Sequence, residues 1–431
     1  MNLDQDVAPP GAAKADARPR NPAALAPPPP LHEPLPSLNG RTTLLFAVAS
    51  GLAVANAYFA HPLLDVMADD LGLSRTIAGL IVGATQLGYG LGLLLLVPLG
   101  DLLDRRKLIV GQSMLSVLAL AVVGVSQSAA MLLGAMAAVG LLAVVTQALV
   151  AYAASLARPS ERGHVVGIVT GGIVIGILLA RTVAGALTDL SGWRTVYFAS
   201  AILTLLIALL LWAMLPRQER RPASLSYGRL IASLVTLVVE EPVLRIRGVI
   251  AMLIFANITT LLAPLVLPLS APPFSLSHTQ IGLFGLAGAA GALGATRAGR
   301  WTDRGHGQRT TGIALGLMLL AWPVMALLDR SILWLIAGVL IIDFGLQAVH
   351  VTNQAMIYRV RPEAQNRLTA AYMVFYSIGS ATGSSISTVA YARAGWTGVC
   401  ALGAAISLLT LLFWTATLKA TPAAATMRLK A

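Results

Sequence analysis

Long apolar runs of similar length alternate with short polar or charged breaks along this chain. Twelve runs, at 42–64, 76–98, 107–127, 130–156, 163–188, 193–214, 247–270, 279–299, 309–328, 331–357, 367–391 and 396–417, are long enough to cross a hydrocarbon core of roughly 30 Å as helices. Helices are the expected form because lipid offers the backbone no partner outside its own segment. Pro264 and Pro268 predict a kink or an early end in span 7. The pattern predicts an all-α integral membrane protein of twelve transmembrane helices.

The breaks repeat. PLGDLLDRRKLI, from Pro98 to Ile109, is echoed by GRWTDRGHGQR, from Gly299 to Arg309, with Asp101 and Asp303 202 residues apart. LSRTIAGL from Leu73 returns as LSHTQIGL from Leu276, and Arg158, Pro159 and Trp193 return as Arg361, Pro362 and Trp396, each 203 residues on. Landmarks sharing one offset make a duplication, and so long a period means two similar halves instead of a solenoid. The expected organisation is a disordered tail over 1–41, six helices over 42–214, a linker over 215–246, six more over 247–417, and a tail over 418–431. The apolar core of the linker, near Leu230 to Val239, is too short to span and suits a helix lying at the interface.

Charge then sets the orientation. With 57 % hydrophobic and 11 % charged residues among 431, the chain is no soluble globular protein. Its net charge of +12 is unevenly placed: with both termini inside, tails and inner loops hold 25 Lys or Arg, and outer loops hold four, Arg75, Arg194, Arg330 and Arg393. Such a bias predicts cytoplasmic termini and makes the basic surplus a topology signal, not a nucleic-acid surface. Cys400 is the single cysteine, the six histidines lack zinc-ligand spacing, and no secretory signal precedes span 1. No phosphate-cradling loop, nucleotide motif or nucleophile triad is visible, so neither ATP-driven transport nor an enzyme is expected, and no metal or cofactor.

The first break and its echo resemble the signature loop of the major facilitator superfamily, roughly G-x-L-x-D-R-x-G-R-R. Leu99, Asp101, Arg105 and Arg106 match without gaps, while Val97, Leu102 and Asp104 depart from it; the echo keeps Gly299, Asp303 and Arg304. The resemblance covers nearly all of residues 42–417 and implies two pseudo-symmetric six-helix bundles around a central cavity. It also implies that Asp101 latches the cytoplasmic side by docking on a facing helix start, where the macrodipole is positive. The alternative is a positive-inside anchor with one compensating acid; the same choice stands for Asp303. Span 5 resembles the G-x8-G-x3-G-P-x2-G-G pattern of the superfamily's proton-coupled antiporters at Gly167, Gly176, Ala180, Arg181, Ala184 and Gly185. Alanine preserves the close helix approach, whereas arginine does not preserve the proline's bend. Span 8 carries Gly282, Gly285, Gly288, Gly291 and Gly294, a stripe that permits sliding or tight packing and that the family places against span 5.

Charges within spans are costly and therefore candidates for function. Arg181 lies about six residues from the outer end of span 5, roughly 9 Å deep. It either faces the cavity or snorkels to the headgroups or Asp189. In span 10, Asp343, Gln347, His350 and Gln354 fall at about 0°, 40°, −20° and 20° on a helical wheel, with Asn353 beside them. Asp343 lies near mid-membrane, where burial penalises a charged carboxylate, as a proton carrier requires. The alternative is a permanent structural pair. Proton coupling thus rests on Asp343, His350 and Arg181. Further cavity candidates are Asn56, Tyr58 and His61 of span 1, Gln86 and Tyr89 of span 2, Gln147 of span 4, Asn257 of span 7, and Tyr372 and Tyr376 of span 11. The residues of spans 1, 2, 4 and 7 could instead serve interhelical hydrogen bonds, and Tyr372 and Tyr376, at i and i+4, could supply an aromatic wall or merely pack.

The reading is a monomeric secondary transporter of the bacterial inner membrane, of the efflux, proton-antiporter-like branch. It would export a small organic solute by alternating access in exchange for protons. Proton-coupled uptake and a non-transporting membrane receptor on the same fold are the alternatives.

Overall fold

The computed structural model describes residues 39–158, 161–215, 227–287, 291, 297–298, 300–302, 304–361 and 365–420. The first bundle comprises α1 (Gly40–Tyr58), α2 (Leu64–Asp70), α3 (Arg75–Leu95), α4 (Arg105–Val125), α5 (Ala129–Ala143), α6 (Val145–Leu156), α7 (Arg162–Ser191) and α8 (Trp193–Met214). The linker holds α9 (Tyr227–Glu240). The second bundle comprises α10 (Pro242–Leu262), α11 (Val266–Ser270), α12 (His278–Gly282), α13 (Gly307–Met325), α14 (Ile332–Tyr358) and α15 (Gln365–Thr417). The predicted spans map onto these helices: α5 and α6 together make span 4, α12 opens span 8, much of which lies outside the described residues, and α15 contains spans 11 and 12. Span 7 stops at Leu262 and resumes at Val266, bracketing Pro264 as its missing N–H requires.

The duplication is visible in the backbone. Gly192, between α7 and α8, has φ 83°, and Gly395, 203 residues on, has φ 58° and breaks α15 in two. Only glycine enters this region at no steric cost, so both bundles end their fifth span alike. The indole that follows is tied down each time: Trp193 Nε1 donates to Asp70 Oδ2 (3.2 Å) and Trp396 Nε1 to the Met325 carbonyl (2.9 Å).

Leu44, Leu118, Ile202, Leu333 and Leu412 point outward and exposed, as a lipid-facing surface demands. The interior contacts are close because small residues allow it. A Cβ on Gly51 would lie 3.2 Å from the Gly172 carbonyl carbon, and Gly176 meets the Gly51 backbone, so α1 and α7 touch backbone to backbone. Gly83 and Gly90 of α3 seat Ser385 and Ser377 of α15, joining the bundles along one side. Asp101 closes a 3-10 turn, Val97–Asp101, its side chain outside the described residues; Gly288, Gly294, Gly299 and Asp303 lie wholly outside them.

Candidate functional site

A cavity of about 150 Å³ lies between the bundles. Tyr58 and His61, Gln86, and Arg181 face it from the first bundle; Phe255, Asp343 and Gln347, and Tyr376 face it from the second. Helix geometry explains why Arg181 and Asp343 meet. Arg181 stands ten residues before the end of α7 at Ser191, roughly 15 Å along the axis, and Asp343 eleven residues into α14, roughly 16 Å. Both helix ends lie at the face that carries few arginines, so the two charges share a level. The sequence placed Arg181 at roughly 9 Å because it ended span 5 at 188; the helix runs on through Asp189 to Ser191.

The glycine stripe seats these charges. A Cβ on Gly285 would sit 3.2 Å from Arg181 Cβ and Cδ, and one on Gly291 would press on Gln347 Cγ at 2.8 Å and the Asp343 carbonyl at 3.2 Å. Bare backbone at Gly285 thus lies against α7, and at Gly291 against α14. Among the described residues neither Arg181 nor Asp343 makes a hydrogen bond, and no ion pair within 4.0 Å joins them. They attract one another through the cavity.

An aromatic layer lies towards the arginine-rich face. Tyr58 Oη and Tyr376 Oη are 2.8 Å apart, a hydrogen bond between the bundles. Phe255 meets Tyr376 edge-on at 4.1 Å between ring centroids, and Tyr89 lies 6.3 Å from Tyr376. Beyond them a second cavity, of about 440 Å³, is lined by Val97, Arg105, Gln147, Ala154, Thr369 and Met373, among others. Along α3 the order is Gln86, Tyr89, Leu93; along α15 it is Ser380, Tyr376, Met373. The tyrosines therefore separate the two cavities.

The other predicted residues divide. Gln147 lines the second cavity and donates from Nε2 to Tyr89 Oη at 3.5 Å. His350 sits behind Phe255, its Nδ1 3.0 Å from Tyr372 Oη, so the polar stripe of α14 faces the cavity at Asp343 and Gln347 and helix α15 at His350. Gln354, half-buried, continues it towards the arginine-rich end. Asn56 accepts from Ser200 Oγ of α8. Asn257 donates to the Gly403 carbonyl (2.8 Å) and Ser407 Oγ (2.7 Å) and accepts from Trp322 Nε1 (3.2 Å), away from both cavities. Asn353 is fully buried and binds Arg247, whose Nη1 reaches its Oδ1 (3.3 Å) and Thr311 Oγ1 (3.2 Å). Arg247 is thus an interior charge of α10, where the charge count had put it among the flanking arginines. In the span 5 pattern, Gly176 meets α1, Ala180 and Ala184 are buried, Gly185 meets the His278 backbone, and Gly167 has open space around it.

The two faces are fastened differently. At the arginine-poor face, His278, at the first turn of α12, stands between two carboxylates of the first bundle. Its Nδ1 is 3.0 Å from Asp189 Oδ1 and its Nε2 3.2 Å from Asp65 Oδ1. Asp189 also accepts from the His278 and Thr279 amides (3.1 and 2.8 Å) and from Thr279 Oγ1 (2.6 Å), capping the helix start. The hydrogen bond to Asp65 above all holds the imidazole above the ordinary histidine range. At the arginine-rich face, Arg105 donates to the Gly100 and Ala151 carbonyls (3.3 and 3.4 Å), Arg106 binds the Trp212 carbonyl, and Arg304 is exposed. Asp104 caps α4 through Lys107 N (3.2 Å). His278 drew no notice in the sequence, where it read as a loop residue before span 8; its place in the repeated LSHTQIGL segment was the available signal.

The sequence matches the family model of the Major Facilitator Superfamily over residues 46–269 and 248–428. It is 48 % identical over 385 residues to the "uncharacterized transporter YgaY" of Escherichia coli O157:H7, covering 89 % of this chain and 96 % of that one. It is 30 % identical over 379 residues to the "Probable transporter SCO4007" of Streptomyces coelicolor, covering 86 % of each. Among solved structures, a point variant of the nucleoside transporter NupG superposes with a TM-score of 0.71 at 13 % identity, over 87 % of this chain and 99 % of the other. That last likeness is one of fold.

Proposed function

The chain belongs to the major facilitator superfamily, and we propose that it moves a small organic solute across the bacterial inner membrane by proton-coupled alternating access. It is a membrane transporter and not an enzyme. One observation carries the coupling: Asp343, without a hydrogen bond to any described residue, faces the cavity between the bundles across from Arg181. A carboxylate so placed can gain and lose a proton as the cavity opens to either side, whereas one locked in an ion pair could not. A single chain holds both bundles, so a monomer suffices. The charge bias supports cytoplasmic termini, which makes the face closed by His278 the outer one.

Two senses of coupling remain, each with its own support. The small-residue pattern of α7 supports export in exchange for protons. Arg181, standing where that pattern has proline, supports movement of solute and proton together.

Proteoliposomes with a trapped pH dye, challenged with a panel of organic acids, amines and sugars under an imposed pH gradient, test this. The wild type is expected to move protons with one class of solute. Asp343→Asn should abolish proton movement while the same solute still raises the melting temperature. Unchanged proton movement in the variant would sink the carrier role.

A further inference from the structure

We propose that the Arg181 side of this cavity binds a small organic monoanion, a carboxylate with an apolar body, and that it does so together with the proton on Asp343. The proposal deepens the proton-coupled reading and rests on it. Its basis is the set of charges the cavity can adopt. Arg181 keeps its charge at any working pH. Asp343 sheds its charge by taking a proton. His61 of the first bundle lines the same wall and can only add positive charge; Tyr58 and Tyr376 are neutral phenols. His350, on the same helix as Asp343, is turned to Tyr372. The site therefore passes between neutral and positive and is never negative. A cation meets Arg181 in either state, whereas an anion meets a net positive cavity once Asp343 is protonated.

A polar group left open in the cavity fits this ligand. Arg181 Nε is buried without a partner, and the guanidinium makes no hydrogen bond to any described residue. A buried unpaired donor is costly, so a site holding one empty is built for a ligand that supplies the acceptor. A carboxylate supplies two, in the planar geometry a guanidinium matches. Val174, Ile177, Ile258 and Leu262 add an apolar stretch of wall beside Thr259, Gln347 and Ser380, which suits a hydrocarbon or aromatic body.

Binding of such an anion and protonation of Asp343 favour one another, and the coupling is reciprocal. Proton and solute then cross together, which selects co-transport over exchange.

Melting temperatures of the purified protein from pH 5 to pH 9, with benzoate, benzylamine or benzyl alcohol, test the proposal. These probes share a ring and differ in charge. Benzoate is expected to stabilise the wild type, with an apparent Kd that rises by about tenfold per pH unit at most as the pH is raised, the limit for one linked proton. Asp343→Asn should bind benzoate at every pH as the wild type does at pH 5. His61→Gln should keep the pH dependence. Arg181→Gln should lose benzoate at least tenfold, and Arg181→Lys should recover part of it; the melting temperature without ligand reports folding of each variant. Stabilisation by benzylamine that disappears in Asp343→Asn would overturn the anion site and leave the proton carrier standing. Stabilisation by none of the probes, or benzoate binding that survives Arg181→Gln, would overturn it as well.

Discussion

Replacing His278 with alanine should unfasten the arginine-poor face, and the pH dependence of that effect is fixed in sign. Both ring nitrogens lie within hydrogen-bond reach of carboxylates, which requires both to carry protons and the imidazole to be charged. The groups facing it are Asp65 from α2 and Asp189 from α7. Because the closed arrangement raises the affinity of His278 for its proton, its stabilisation is complete below the ordinary histidine value of about 6.5. It is lost as pH rises through the elevated value. Charge-assisted hydrogen bonds contribute about 1.5–3 kcal/mol each. The side chains are 17 % (His278), 10 % (Asp65) and 27 % (Asp189) exposed, so partial screening reduces the pair to about 2 kcal/mol in all, or roughly thirtyfold in the ratio of closed to open molecules. Spin labels at Leu190→Cys and Leu333→Cys, exposed on the two bundles at that face, would report the ratio in a Cys400→Ser background. At pH 5.5 His278→Ala should show the longer distance far more often than the wild type, and at pH 9 the two should converge. Matching distance distributions at pH 5.5 would refute the latch.

Other substitutions probe the packing around the site. Gly282→Ala would place a Cβ 2.8 Å from the Arg181 carbonyl carbon, and backbone cannot yield cheaply, so it should cost about 1–3 kcal/mol and lower the melting temperature. Gly316→Ala, with nothing within 4 Å, is the control; equal melting temperatures would refute the close-approach argument. Tyr58→Phe and Tyr376→Phe each remove the same hydrogen bond, about 1 kcal/mol, so the double variant should be no less stable than the single ones. Additive losses would show that the two hydroxyls act separately. Arg247→Leu leaves Asn353 Oδ1 in the interior without its guanidinium donor and should cost about 1–3 kcal/mol, read by thermal unfolding; an unchanged melting temperature would refute a structural role.

The spans, their breaks and the halving of the chain were legible because hydrophobic run length and a repeated offset survive without any knowledge of packing. Gly192 and Gly395 illustrate it: one offset in sequence becomes one positive-φ turn in each bundle. Direction within a helix was less legible. Asp343 and Gln347 face the cavity as their stripe predicts, yet Asn257 carries the same kind of amide and turns to Trp322, because an apolar span gives no reference for which side is inward. Arg247 was hidden by its neighbours: a run of basic residues at a span end reads as a flank, and only the fold shows one of them buried. His278 was hidden for the opposite reason, since its carboxylates come from residues 213 and 89 positions away.

The linker helix α9 bears on how the bundles can move. Leu234 and Leu237 bury its inner side, Leu237 in a cluster with Leu244, Ile357 and Leu368 of the second bundle. Its last residue, Glu240, and the adjacent Glu241 bind Arg361 (3.0 and 2.6 Å), while Tyr227 at its start donates to the Leu95 carbonyl of the first bundle (2.8 Å). Among the described residues of the connection, α9 is a helix of 14 residues, roughly 21 Å, tied to the second bundle at its end and to the first through Tyr227 at its start. A helix held by the second bundle travels with it, so any movement that carries the bundles apart at this face has to part Tyr227 from the Leu95 carbonyl.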